Sequence, residues 1–163
     1  MDLFIVSIST LQAAGKSTGV VTTTRVTHAS PAGTYAHIAD RDWESDAAIK
    51  SDGLDPAQCD DIAKQLITKQ PGMNVNVILG GGRKEFLTVN DPDPETGAAG
   101  LRSDENLIDK WQQMKTGQKA SYVWDRKGFE AVNPDETDYL LGAVLLPQFS
   151  LQYASAAQCL CTS

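Results

Sequence analysis

The side chains best suited to chemistry crowd into one stretch, TTTRVTHASPAGTYAHIADRDWESD, which contains His28, Ser30, His37, Asp40, Arg41 and Asp42. A guanidinium such as that of Arg41 can hold two oxygens of a carboxylate or phosphate in a planar fork, which an ammonium group cannot do. The Ser30 hydroxyl is an oxygen donor that a hard cation accepts. Each residue also has a plainer reading. Arg41 can pair with Asp40, Asp42 or Asp46. Ser30 can cap a helix whose first residue is Pro31. His28 and His37 can be ordinary hydrogen-bonded histidines. A second group, Asp91, Asp93 and Glu95 in NDPDPETG, offers carboxylate oxygens suited to calcium. Its spacing is not that of an EF-hand, and from spacing alone a solvated loop is the better account.

The elements that must position these groups follow from the residue pattern. Val20 to Thr24 is an unbroken β-branched run and predicts a buried strand. The ionisable cluster lies just past its C-terminal end, where ligands bind in open α/β sheets. A helix is expected from Ser30 to about His37. Ser7 to Ala14 reads as the end of a helix stopped by Gly15. Asp46 to Asp55 reads as a polar loop, and Asp55-Pro56 as the cap and first residue of a helix running to about Lys69. Val75 to Leu79 predicts a second buried strand. It is followed by Gly80-Gly81-Gly82, either a phosphate loop or, with no clear helix start at Arg83, a packed turn. Asn90 to Leu101 reads as a loop. Ser103 resembles a helix cap, with Leu107, Ile108, Trp111 and Met114 as the buried stripe behind it. Tyr122 to Trp124 predicts a third strand, and Asp138 to Val144 a further helix. Strands alternating with helices imply parallel pairing and an α/β layered architecture.

Composition narrows the function. The chain has 163 residues, a net charge of −7 and 41% apolar residues. That allows one core and argues against nucleic acid, which needs a basic face. The segment AAGKST is not a P-loop: Thr10 stands where the first glycine belongs, and the helix precedes the strand instead of following it. No stretch has the length of a membrane span or the form of a signal segment. Cys59 falls on the helical face of Ile62, Ala63, Leu66 and Ile67 and reads as buried. Cys159 and Cys161, in QCLC, are too few ligands for a zinc site.

TTTRVTHASPAGTYAH, the following DRDW, then GGGRK at Gly80 to Lys84, DPE at Asp93 to Glu95 and YVW at Tyr122 to Trp124 resemble, in order, the metal-dependent alkaline phosphatases of animals. The likeness runs from about residue 7 to residue 142. It divides the chain into an unmatched segment 1–6, a partial alkaline-phosphatase-like domain 7–142 and an unmatched tail 143–163. It implies a partial, incomplete form of the family's three-layer α/β fold, with a mostly parallel central sheet.

The resemblance implies hydrolysis of phosphate monoesters, with magnesium, zinc and, less directly, calcium as metals. Arg41 stands at the family's substrate-phosphate arginine and Ser30 at a magnesium ligand. His28 stands beside that magnesium site, touching its ligands or waters instead of the ion, since magnesium prefers oxygen. Glu95 stands at a calcium ligand. The family's nucleophilic serine lies before Ser7 and its zinc ligands beyond Gly142, so this stretch alone is expected to be inactive. The alternatives are a non-catalytic binding or regulatory fragment, or a truncated gene product. The cysteine partner of Cys59 in the family also lies upstream. The family is extracellular, lipid-anchored at the cell surface and homodimeric in its complete form. An entry signal and an anchor tail are not recognisable in this chain.

Overall fold

The computed structural model describes residues 2–143; the tail from Val144 on, including Cys159 and Cys161, lies outside the described residues. Four parallel strands form one sheet in the order β1-β2-β4-β3, where β1 is Gly19–Arg25, β2 Val77–Gly81, β3 Ala120–Val123 and β4 Tyr139–Ala143. Around it lie α1 (Asp2–Ala13), α2 (Ala29–Ala32), α3 (Asp46–Ser51), α4 (Ile62–Thr68), α5 (Leu107–Met114) and α6 (Arg126–Glu130). On one face of the sheet Val20, Ile78 and Leu141 meet Leu66 and Ile67 of α4 and Leu107, Ile108 and Trp111 of α5. On the other, Val77, Leu79, Val123 and Leu140 lie under Phe129 of α6 and Val132. This is the expected α/β architecture, in three layers. Each fully buried Leu or Ile contributes about 1.5–3 kcal/mol, so the two central strands carry much of the core.

Several expectations change once the layers are seen. β1 is an edge strand, not a fully buried one. Val20 is buried, but Val21 is 40% exposed and Thr23 also faces solvent. The β-branched run there reports pleated geometry more than burial. The segment expected to begin a helix at Asp138 is instead β4, a central strand with Leu140 and Leu141 buried on opposite faces. A short continuous apolar run has no periodicity that separates the two. β2 is buried along its whole length. A Cβ on Gly80 would meet Thr22 Cγ2 and Val26 Cγ1 at 2.7 Å, while Gly82 has φ +93° and a Cβ there would lie 2.9 Å from Arg25 Cβ. Gly80 and Gly81 are thus buried strand residues and only Gly82 turns the chain, so the expected packed turn is confined to Gly82.

The helix starts shift for the same kind of reason. α4 begins at Ile62, not after Asp55. Its cap is Asp61, which accepts the N–H of Lys64 at 2.9 Å, while Asp55 closes only a turn with Ala57 and Gln58. Cys59 thus falls in the loop before the helix, half-buried, not on its face. The cap of α5 is Asn106, which accepts from Ile108 and Asp109. Ser103 instead donates to the buried Asp46 at 2.6 Å. Asp46 opens α3, in a stretch expected to be loop.

Candidate functional site

The cluster is built on the C-terminal end of β1. Past Arg25 the chain is held by Val26 N–H donating to Gly81 O at 3.0 Å and by the buried Tyr35 hydroxyl donating to Val26 O at 2.6 Å. His28 is the residue before α2, and its side chain makes no capping bond. Ser30 is the second helical residue and not the cap, which corrects the expected capping role. Its hydroxyl is exposed and has no hydrogen-bond partner among the described residues. Pro31 is tolerated in this first turn because its missing N–H has no intrahelical partner there. α2 ends at Ala32, so no continuous helix joins His28 to His37. His37 is exposed, and its main chain is clasped by the Gln65 side chain at 2.9 and 3.0 Å.

Arg41 sits on a tight turn in which Asp40 Oδ1 accepts the N–H of Asp42 at 2.9 Å. Its guanidinium lies 3.3 Å from His28 Nε2 and its side chain is 61% exposed. The expected competitors are engaged elsewhere or distant. Asp40 holds the turn, Asp46 binds Lys50 and Ser103, and Asp42 approaches only to 3.9 Å in an exposed pair. Such pairs contribute about 0–1 kcal/mol. The other ring nitrogen of His28, Nδ1, is buried and has no partner among the described residues. A cleft of about 480 Å³ opens beside Arg41, walled by Ala32, Ala36 and Ile38.

Beneath this turn the charges are heavily paired. Glu44 is forked by Arg25 at 2.8 and 2.6 Å and receives the Thr27 hydroxyl at 2.5 Å. Burial would raise the Glu44 carboxyl, but these donors hold it below the usual carboxylate range. Glu85, buried nearby, is pushed up by burial and by the Glu44 charge.

Glu95 lies elsewhere, and Arg83 explains its neighbourhood. Arg83 donates to Asp93 at 2.8 Å, Glu95 at 3.2 Å, Trp124 O at 2.8 Å and Ala143 O at 2.7 Å. One buried guanidinium thereby ties GGGRK, DPE and YVW together. Asp93 is also buried. Burial would raise its carboxyl, but the main-chain N–H groups of Thr96 and Glu95 and the Arg83 charge lower it. Asp91 turns away to Thr88 at 2.6 Å. The three carboxylates therefore do not converge on one point. Arg83 and Glu44 were not singled out from sequence, because nothing local marks a charge whose partner lies far along the chain.

A family model described as alkaline phosphatase matches residues 5–154. The chain belongs to the alkaline phosphatase family. Among curated relatives it is 49% identical over 142 residues to the membrane-bound alkaline phosphatase of Bombyx mori, covering 85% of this chain and 25% of that protein. It is 46% identical over 134 residues to the alkaline phosphatase of Gadus morhua, covering 79% of this chain and 28% of that one. The tissue-nonspecific isozyme of Gallus gallus is 45% identical over 134 residues, covering 78% and 25%. The chain thus spans about a quarter of the length of the curated relatives it matches.

The family is metal-dependent, and the donors of this alkaline phosphatase segment fit its metals unequally. The free Ser30 hydroxyl and the orphaned Nδ1 of His28 suit the neighbourhood of a magnesium ion and its waters. Zinc fits poorly: among the described residues there is no group of three or more His, Cys, Asp or Glu that could hold a metal ion. Glu95 offers one carboxylate already facing a guanidinium, against the six to eight or so oxygens calcium takes.

Proposed function

We propose that this segment supplies the phosphate-binding arginine, Arg41, and part of the magnesium neighbourhood, Ser30 and His28, to an enzyme that hydrolyses phosphate monoesters. The observation that carries this reading is the Arg41 guanidinium, 61% exposed at the C-terminal end of a parallel strand with only a loose carboxylate neighbour. Its fork suits two equatorial oxygens of a phosphoryl group, and its charge offsets that of the dianion. Bound magnesium supplies electrostatic stabilisation of charge on oxygen. Ser30 offers a hydroxyl oxygen towards it, and His28 holds Arg41 from the other side. Glu95 contributes to a calcium site completed by residues outside this stretch. By the same likeness the whole protein works outside the cell or at its surface, as a homodimer. Among the described residues no helix is long and apolar enough to cross a membrane.

The segment alone is expected not to turn over substrate, on the reading that the family's nucleophile stands before Ser7 and its zinc ligands beyond Gly142. Groups that act as a unit lose most of their effect when one is missing. The test is release of p-nitrophenol from its phosphate at alkaline pH by this chain, with zinc and magnesium supplied and host phosphatase removed. Background rates are expected. Metal-dependent turnover that disappears in both Arg41→Ala and Ser30→Ala would overturn the reading and show a site assembled from the residues present.

Ser30 has its own test in a full-length chain carrying this segment. Ser30→Ala is expected to raise the magnesium concentration needed for full activity. The melting temperature should barely move, because an exposed hydroxyl that caps nothing contributes within about 0.5 kcal/mol. A magnesium titration beside a thermal melt reads both. An unchanged magnesium dependence would remove Ser30 from the metal site.

A further inference from the structure

Arg41 is the residue on which the proposed function turns, yet its own side chain anchors it weakly. What fixes the turn that carries it lies three residues further on. The segments 25–28 and 41–44 run against each other and are joined at two places. At one end His28 Nε2 lies 3.3 Å from the Arg41 guanidinium. At the other, Glu44 receives both Nε and Nη2 of Arg25, at 2.8 and 2.6 Å, and the Thr27 hydroxyl at 2.5 Å. Glu44 is 8% exposed, so its carboxylate is largely desolvated, while the Arg25 side chain that grips it keeps a 41% exposed face; the three charge-assisted bonds converge on the buried partner.

The main chain adds the third side of the frame. The carbonyls of Trp43 and Glu44 accept the N–H groups of Ile62 and Ala63 at 3.0 and 3.3 Å, which are otherwise unsatisfied donors of the first turn of α4. The turn from Asp40 to Trp43 therefore projects from a clamped base. Its inner leg is fastened to the end of β1 through one carboxylate.

We propose that Glu44 is a positioning residue for Arg41: gripped by Arg25 and Thr27, its carboxylate sets where the Arg41 guanidinium stands relative to the end of β1. This rests on the reading of Arg41 as the phosphate-binding residue. Without the Glu44 carboxylate the turn keeps its main-chain bonds to α4 but loses its tie to β1, and Arg25 is left as an unpaired cation beside it. A shift of about 1 Å in a group that holds a reacting phosphate is enough to cost up to about a hundredfold.

The experiment is a double-mutant cycle in a full-length chain carrying this segment, with Glu44→Ala, Arg41→Ala and the two combined. The readouts are competitive inhibition by inorganic phosphate, the split between KM and kcat for p-nitrophenyl phosphate, and a thermal melt. Glu44→Ala is expected to weaken phosphate inhibition about tenfold in the parent and to have no further effect once Arg41 is alanine, since coupled residues are non-additive. Glu44→Gln, whose amide oxygen still accepts one bond from Arg25, is expected to fall between and carries the same cycle if the alanine variant does not fold. A lowered melt with unchanged phosphate inhibition, or equal weakening with and without Arg41, would overturn the proposal while leaving the Arg41 reading standing. Unchanged inhibition in Arg41→Ala alone would instead sink the Arg41 reading.

Discussion

Arg41→Ala, made in a full-length chain carrying this segment, is expected to lower kcat/KM for p-nitrophenyl phosphate by about a hundredfold or more and to weaken inhibition by inorganic phosphate. Stability should stay within about 0.5 kcal/mol, because the side chain is 61% exposed and Asp42, its carboxylate neighbour among the described residues, is 3.9 Å away. Activity and stability thus separate cleanly at this position. Arg41→Lys is expected to rescue little. An ammonium group keeps the charge but loses the planar pair of donors that matches two oxygens of a phosphoryl group. Steady-state kinetics with phosphate as inhibitor decide the matter. Parent values in Arg41→Ala would remove the residue from the site, and full activity in Arg41→Lys would reduce its role to a point charge.

The largest effect on stability is expected at Arg102, which has no exposed surface. It forks Asp61 at 3.0 and 2.9 Å, holds Asp104 at 2.8 and 2.9 Å, and reaches Glu85 O at 3.2 Å. Asp61 is the cap of α4, so one guanidinium orders a helix start, a carboxylate cluster and the loop before α5. Arg102→Ala leaves the buried Asp61 carboxylate without its counter-charge, with only the Lys64 N–H still bonded to it among the described residues, and is expected to cost about 3–5 kcal/mol, a large share of the roughly 5–15 kcal/mol by which domains are stable. Denaturant unfolding measures it, and a loss under 1 kcal/mol would show that water replaces the guanidinium. The pH dependence follows from Asp104. Burial would raise its carboxyl, but the Arg102 fork and the Glu105 N–H bring it down to about 2. A depressed carboxyl stabilises the fold above its unfolded value, near 3.9, and that stability is lost as pH falls towards 2. Asp104→Asn is expected to flatten this stretch of the stability curve, as read from thermal melts between about pH 2 and pH 5. A curve parallel to the parent would mean the pair is solvated.

The family and its α/β class could be read from the chain because both rest on local signals. Motifs keep their order along the chain whatever their spatial arrangement. The β-branched run Val20 to Thr24 marks a strand without knowledge of its neighbours. The face of α4, with Ile62, Ala63, Leu66 and Ile67 all buried, was visible in its spacing. What tertiary structure decided was everything set by a distant partner. Leu140-Leu141 is a strand because it enters between β2 and β3, and no periodicity in a run that short distinguishes strand from helix. Asp61 rather than Asp55 caps α4 because Arg102 fixes it there. Ser103 is drawn from the helix start to Asp46. At the candidate site, His28, Ser30 and Arg41 could be named from residue type and resemblance. That Arg41 faces His28 and stands on a base tied down by Glu44 comes from contacts between β1 and the turn after α2, and such contacts leave no mark on local sequence because their energy depends on burial and distance.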